Sequence, residues 1–442
     1  MTNRLKGLYR QGRYLTKIFF FLPITFFKRI VFGKDPVWRA FFFQAWGVIP
    51  QDLEILIGSR DSIWINTEAG GEITQVFSLC RKLKQKYPGY NLLVSTHKYD
   101  AYLLAHKIAG IDYVFFSPWD ITWVVRKVLK RIDPVLLIAS EIVTAPVLFR
   151  EASRLGIKTF LCSGFMSKNL DDNQILKRAM ALQFYKWLDF VGVKQKIDKE
   201  GFEKLGCPAE SVKLLGDLKY DVTKIRVLGK SRQEWLEEFA LDVRCKVLLG
   251  ASIHPGEDRF LIDAFALLRQ QDPEFRLIIA PRFNHFINKI ESYLRKQGYS
   301  YVKRTELTRK VDCQETVIII DTFGELAYLY AAASYAVIGS SIYPADPLGG
   351  HNVIEPMVNG VPFFFGPHML KASEVVNELK KCWRGLEIYS QRDLARNILE
   401  LDNNEVLKEK IKTKLNDIVG RHKNSAENHV KFIEHLLSGA DV

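Results

Sequence analysis

The feature that most constrains this chain is a pattern of short apolar runs alternating with helical stretches, which stops once and then restarts. Before the break, the candidate strands are Leu53–Ile57, Ser62–Asn66, Asn91–Ser95, Tyr113–Phe116, Val135–Ala139, Thr159–Cys162, Phe190–Val193 and Val212–Leu215. Stretches such as Ile73–Lys84 and Tyr99–Ala109 between them read as helices. Runs that are apolar almost throughout, rather than at alternate positions, belong to strands buried on both faces, and hence to a parallel sheet covered by helices. The pattern weakens over Asp221–Glu237 and resumes with Lys246–Gly250, Arg276–Ala280, Val317–Ile320, Ala336–Ile338 and Pro362–Phe365. A chain of 442 residues exceeds what one core usually supports. The expectation is therefore α/β with two Rossmann-like domains, residues 48–225 and 238–442, joined by a linker at 226–237 and preceded by a distinct segment, 1–47.

Ligands of such sheets bind beyond the carboxyl ends of the strands. The stretch Tyr335–Met369 marks one such end most clearly. Its strand Ala336–Ile338 leads through a Pro/Gly loop to Gly349-Gly350-His351-Asn352, a helix start with Glu355 in its first turn, and then the strand Pro362–Phe365. The glycines let backbone approach a ligand, and free N–H groups at the helix start suit a phosphate. Glu355 is placed to accept from a pair of sugar hydroxyls, although a plain turn and a solvated helix acid would read the same way. Polar clusters follow three more strands of this half: Ser252-Ile253-His254-Pro255-Gly256-Glu257, Arg282-Phe283-Asn284-His285, and Asp321-Thr322-Phe323-Gly324-Glu325. In the first half, Thr67-Glu68-Ala69-Gly70-Gly71-Glu72 follows the second strand. Glu72 at the head of a helix is either a first-turn acid favoured by the helix dipole or a base for an incoming hydroxyl.

Charge narrows the classes further. Residues 1–47 hold nine Lys and Arg against one acid, Asp35, so +8 of the chain's formal +13 sits there. The apolar run Ile18–Phe27 is ten residues long, contains Pro23 and is bracketed by Lys17 and Lys28-Arg29. That is half the length a membrane-spanning helix needs, and no small-residue cleavage pattern follows it. Phenylalanines between basic residues suit a segment lying in the interface of an anionic membrane; the alternative is an amphipathic helix docked on the protein. No zinc finger, RRM or KH pattern points to nucleic acid. The six scattered cysteines, without CxxC spacing, give neither a disulfide framework nor a metal site. There is no GxGxxG after a first strand, no GxxxxGK[ST], no GxSxG and no HExxH. Two α/β domains with marked ligand edges point to a two-domain transferase.

In the same order along essentially the whole chain, these motifs resemble the bacterial 3-deoxy-D-manno-octulosonic acid (Kdo) transferases. The resemblance is carried by the basic and apolar N-terminal segment, Ile63-Trp64-Ile65 with Gly71-Glu72, Gly216-Asp217-Leu218-Lys219-Tyr220-Asp221, and Ser252 to Glu257. It continues through Pro281-Arg282, Asp321 to Leu326, Gly349-Gly350-His351-Asn352 with Glu355-Pro356, and Gly366-Pro367-His368. It implies a GT-B fold, two Rossmann-like domains facing a central cleft, with an acceptor-binding N-terminal domain and a nucleotide-sugar-binding C-terminal one. It also implies inverting transfer of Kdo, or a modified Kdo, from CMP-Kdo to a lipid A precursor in lipopolysaccharide core assembly. No cofactor or metal is expected beyond the CMP-Kdo donor. The expected place is peripheral on the cytoplasmic face of the inner membrane. Carried over residue by residue, Glu72 matches the catalytic glutamate. Ser252, His254, Arg282, Gly324, Glu325, Gly349, Gly350, Asn352 and Glu355 match the donor side.

The chain departs from the family pattern where Phe283 follows Pro-Arg in place of histidine, and where Val143 and Ala145 replace a second acid and a tryptophan. Phe165 falls in a stretch that lacks an arginine, and the loop before Gly349, with Ala345–Leu348, is longer. The nucleotide side is thus better kept than the acceptor side. Two other readings stand beside the transferase: a GT-B relative using another sugar nucleotide, as a transferase or an epimerase, and a membrane-bound lipid- or nucleotide-binding protein without catalysis. The second is disfavoured by the retained Gly71-Glu72.

Overall fold

Strands buried on both faces appear where the apolar runs predict them, and they sort into two separate parallel sheets. A computed structural model of the chain describes residues 36–68, 70–165, 185–226, 229–307, 317–343 and 349–438. Most of the expected membrane-interface segment, up to residue 35, lies outside the described residues, as do Met166, Ser167 and the loop Ala345–Leu348. The chain divides into two compact units: one runs to Leu218 and takes in Asn424 onward, and the other is Lys219–Lys423.

In the first unit the strands are β1 (Ser62–Thr67), β2 (Asn91–Thr96), β3 (Tyr113–Phe116), β4 (Leu136–Ser140), β5 (Lys158–Gly164), β6 (Phe190–Val193) and β7 (Val212–Leu214). Their order is β3-β2-β1-β4-β5-β6-β7, every pair parallel. Every residue of β1, β2 and β4 is buried. A buried tryptophan needs an acceptor for its N–H. Trp64 on β1 finds one in Ser95 Oγ of β2 at 2.7 Å. Ser95 and Ser117 both donate to Asn66 Oδ1, at 2.9 and 2.8 Å, so these four side chains, from β1, β2 and the residue after β3, satisfy one another.

Leu53–Ile57, read above as a strand, is instead part of a helix, Gln51–Ile57. Only Leu53 of that helix is buried, and Ile55 is 69% exposed. A short apolar run does not reveal its period, and here the restricted φ of Pro50 ahead of it suits a helix start. Residues Pro36–Ala45 form a helix that docks by Phe41 on Phe116 and Trp119, with ring centroids 4.9 and 5.9 Å apart, while Phe43 stays 48% exposed. This part of the N-terminal segment is therefore a docked amphipathic helix. No helix among the described residues is long and apolar enough to cross a membrane.

In the second unit β8 (Lys246–Ile253), β9 (Phe275–Pro281), β10 (Tyr301–Lys303), β11 (Val317–Ile319), β12 (Tyr335–Ile338) and β13 (Phe363–Phe364) take the order β10-β11-β9-β8-β12-β13, again all parallel. The short strand β10 was not legible as an apolar run. The stretch 226–237, expected as a linker, falls within this unit. Its helix Arg232–Glu238 starts with a capping box at Ser231 and buries Trp235 and Leu236 in the core.

The last helix, Ser425–Ser438, belongs to the first unit rather than to the C-terminal one. Ala426, Val430, Ile433 and Leu436 form a stripe at helical spacing in that unit's core. His429, fully buried on the same stripe, bonds through Nδ1 to the Ser425 carbonyl at 2.7 Å and through Nε2 to Ser163 N at 3.2 Å. A carbonyl can only accept, so Nδ1 carries the proton and Nε2 takes the Ser163 N–H. Burial drives the imidazole down to about 4, outweighing the Ser425 carbonyl and Asp217, which push it up.

Because the folded pKa lies below the unfolded one, this stabilisation is complete above about pH 6.5 and is lost as pH falls toward 4. It amounts to something on the order of 3 kcal/mol. Urea denaturation of wild type and His429→Gln across that window should show a steeper acid-side loss in the wild type. Parallel curves would refute the assignment.

Candidate active site

In both sheets the connections reverse direction at one point, between β1 and β4 in the first and between β8 and β12 in the second. Crevices at such points are where α/β sheets receive ligands. The residues singled out from sequence gather at these two carboxyl edges.

On the first edge, Glu72 stands in the first turn of the helix Gly70–Lys86, half-buried. Its Oε2 accepts the backbone N–H of Glu68 at 2.8 Å, so the carboxylate folds back over the turn leaving β1. Across the switch point, β4 runs into Glu141, whose φ of 60° turns the chain sharply. Glu141 Oε1 lies 2.5 Å from Lys194 Nζ, which follows β6 and also sits 3.5 Å from Asp217. Burial alone would lower the Lys194 pKa, but Asp217 and Glu141 outweigh it and raise the ammonium above its usual range. The same ammonium lies 5.1 Å over the ring of Phe165. Burial pushes the Cys162 thiol up to about 12, and Glu141 and Glu72 add to it, which places both carboxylates within electrostatic reach of one buried group. Of the departures, Phe165 is 40% exposed at this edge, whereas Val143 and Ala145 are buried in the unit's core.

Sequence reading missed Lys194. The signal was a lysine directly after an apolar strand, in Val193-Lys194, together with an Asp217 motif that had no assigned partner.

On the second edge the organising group is Glu257, another residue without an assigned role in the sequence. Its fully buried carboxylate accepts the backbone N–H groups of His254 at 3.0 Å, Ser340 at 2.7 Å, and Ser341 and Ile342 at 3.1 Å. It thereby ties the loop after β8 to the loop after β12. Ser252 turns at a φ of 56°, and a Cβ at Gly339 would overlap the Ser252 carbonyl, so only glycine lets the two strand ends meet. Gly349 and Gly350 both lie at a φ of 55°. The run Gly350–Asn352, expected as a helix start with N–H groups free for a phosphate, is a pinned turn ahead of the helix: Gly350 N donates to Ser340 O at 2.7 Å and His351 N to Gly339 O at 3.2 Å. The turn is pinned to the end of β12, because those N–H groups would otherwise be left without partners in a half-buried loop.

That pinning brings His351 against His254, with Nε2 atoms 2.7 Å apart and rings stacked at 5.0 Å between centroids. Asn352 Oδ1 accepts Ile354 N at 2.9 Å, closing a turn just ahead of the short helix Ile354–Val358. Glu355, half-buried in that helix, lies near the buried Tyr330, whose phenol is raised by burial and by the Glu355 charge. Arg282 is exposed after β9, its guanidinium 5.9 Å from the Phe283 ring, and that ring meets His254 in a T-shaped contact at 5.6 Å. Gly324 turns at a φ of 87°, and the Glu325 carboxylate bonds to Arg304 at 3.1 Å and to Thr322. The structure thus brings Ser252, His254, Arg282, Gly349, Gly350, Asn352 and Glu355 to one sheet edge. Glu325 is at the next strand end, with its charge held by Arg304. Among the described residues no three His, Cys, Asp or Glu side chains come together as a metal site.

The profile of a family described as 3-deoxy-D-manno-octulosonic-acid transferase (kdotransferase) matches residues 42–222. A 3-deoxy-D-manno-octulosonic acid transferase of Chlamydophila psittaci is 26% identical over 73% of this chain and 73% of its own length. One from Chlamydia muridarum is 24% identical over 90% of each. Among solved structures, UDP-GlcNAc 2-epimerase from Neisseria meningitidis superposes over 85% of this chain and all of its own, at a TM-score of 0.61 and 13% identity, a likeness of fold. The two parallel α/β sheets are those of a GT-B fold.

If Glu257 holds the two loops as described, Glu257→Gln cannot replace it. One amide oxygen would serve N–H groups now shared by two, with an NH2 set against further donors. The variant should lose roughly 1.5–3 kcal/mol in urea denaturation. An unchanged midpoint would show that the loops hold together without it.

Proposed function

We propose that the chain is a divergent member of the 3-deoxy-D-manno-octulosonic acid transferase family, as the family profile over residues 42–222 and relatives 24–26% identical support, and that its residues perform the transfer as follows. It is a glycosyltransferase that moves Kdo in lipopolysaccharide core assembly. In our reading the donor is CMP-Kdo, the acceptor a lipid A precursor, and the transfer inverts the anomeric centre. The observation that carries the roles is the placement of two carboxylates at the first switch point: Glu141 after β4, engaged by the Lys194 ammonium, and Glu72 in the first helical turn after β1.

A sugar hydroxyl is a poor nucleophile near neutral pH and needs a base as the new bond forms. Glu72 takes that proton, and Glu141, held by Lys194, orients the acceptor. The nucleotide belongs to the second unit. Glu355 accepts from its ribose, while Ser252, Asn352 and the Gly349–Gly350 and Gly324–Glu325 turns surround its phosphate. Arg282 and His254 face the charge that grows on the leaving oxygen, where a fixed cation is worth most. For location we propose a peripheral place on the cytoplasmic face of the inner membrane. The basic segment 1–47 supports it, as do exposed apolar side chains on the first unit such as Phe43 and Trp123, the latter 59% exposed.

The test is incubation of the purified full chain with CMP-Kdo and a tetraacylated lipid A precursor, with mass analysis of the lipid. Addition of Kdo supports the reading. An unmodified lipid, with epimerisation of UDP-GlcNAc instead, would replace it by the epimerase alternative. Glu72→Gln should lower single-turnover rates by about 10²–10⁴ while CMP affinity stays nearly unchanged; wild-type turnover would move the base to Glu141. Glu355→Ala should weaken CMP binding by roughly 1.5–3 kcal/mol in calorimetry, the worth of a charge-assisted hydrogen bond.

A further inference from the structure

His254 and His351 stand 97 positions apart in sequence, yet meet across the second switch point through Nε2 atoms 2.7 Å apart. A hydrogen bond between two such nitrogens needs one N–H and one lone pair, so one ring donates and the other accepts. A single further proton can be added on the donating ring's other nitrogen, which converts the bond to a charge-assisted one and strengthens it. A second would have to go on the accepting Nε2, destroying the bond and setting two cations in contact. The pair therefore holds either no net charge or one positive charge. His254 is buried and its backbone N–H is fixed by Glu257, while His351 is pinned through Gly339, so neither ring is placed by chance.

We propose that the His254–His351 pair is a proton-linked phosphate subsite, taking up one proton as the donor nucleotide's phosphate binds and presenting, with Arg282, the positive charge that holds it. The proposal rests on the transferase reading for the identity of the nucleotide. No covalent step is involved: the proton comes from solvent and returns to it when the nucleotide leaves.

The other charged and titratable groups facing the pair come from each loop around it. Glu257 lies behind the His254 N–H, and Arg282 and His285 both lie against the ring of Phe283, which meets His254 in a T-shaped contact. Tyr343 lies against Gly256, and the carbonyl of His368 lies against Gly349. A guanidinium does not deprotonate in proteins, so an arginine beside the pair adds a constant attraction. His285 and His368 serve as the control positions.

The experiment is calorimetric titration of the full chain between pH 5.5 and 8.5, in buffers of differing ionisation enthalpy. The probe is the methyl phosphodiester of CMP, whose phosphate does not itself titrate in that range, with cytidine as the probe lacking phosphate. Expected is uptake of one proton per phosphodiester bound at the alkaline end, with affinity falling by up to about tenfold per pH unit there. Cytidine should bind with no proton uptake. His254→Asn and His351→Asn, checked for unchanged thermal melting, should flatten the pH dependence, while His285→Gln and His368→Gln should leave it. Binding of the phosphodiester by the wild type without proton uptake, or uptake that survives both asparagine variants, would overturn the proposal. Failure of the wild type to bind cytidine nucleotides at any pH would instead count against the transferase reading.

Discussion

The second unit depends on a buried negative charge at the point where its sheet changes direction. Strands β8 and β12 lie side by side, but their loops leave in opposite directions, and the backbone N–H groups there have no strand left to bond to. Glu257 gathers five of them on one carboxylate, from His254, Ser340, Ser341, Ile342 and Tyr343. In water such a group would be solvated; buried, it is tolerable only because charge-assisted hydrogen bonds occupy its oxygens. From that anchor follow the position of His254, the pinned glycine turn, and the stacked histidine pair. The ligand edge is thus a consequence of satisfying backbone groups that the topology leaves over.

The first unit solves the matching problem with the opposite sign. Lys194 reaches into the edge of its sheet and is held there by Glu141 and Asp217, which keep the ammonium charged despite burial. The arrangement separates two carboxylates of similar chemistry. Glu141 is committed to a cation, and Glu72 accepts the backbone N–H of Glu68.

Much of this was legible in the residues. The strands showed because burial on both faces makes them continuously apolar, and the site residues showed because polar clusters repeatedly followed those strands. Leu53–Ile57 was misread because a short apolar run has no measurable period, and the structure makes it a helix that buries Leu53 alone. Val143 and Ala145 looked like losses from the acceptor site, yet both are core residues. The stripe of Ala426, Val430, Ile433 and Leu436 on the terminal helix names no destination by itself, since it would fit any apolar surface of the right width.

Taken alone, the sequence determined that there are two parallel sheets, that helices cover them, and that Glu72, His254, Arg282, Asn352 and Glu355 stand beyond their strands. Those properties are local: each is written in a run of neighbouring residues through burial and turn chemistry. Only the tertiary structure decided which strands flank each point of reversal, that Lys194 belongs to Glu141, that His254 meets His351, and that the last helix returns to the first unit. The physical reason is that those partners lie tens to hundreds of positions apart. Their meeting is set by the order in which the crossovers lay the strands into a sheet, which no residue's own propensity records.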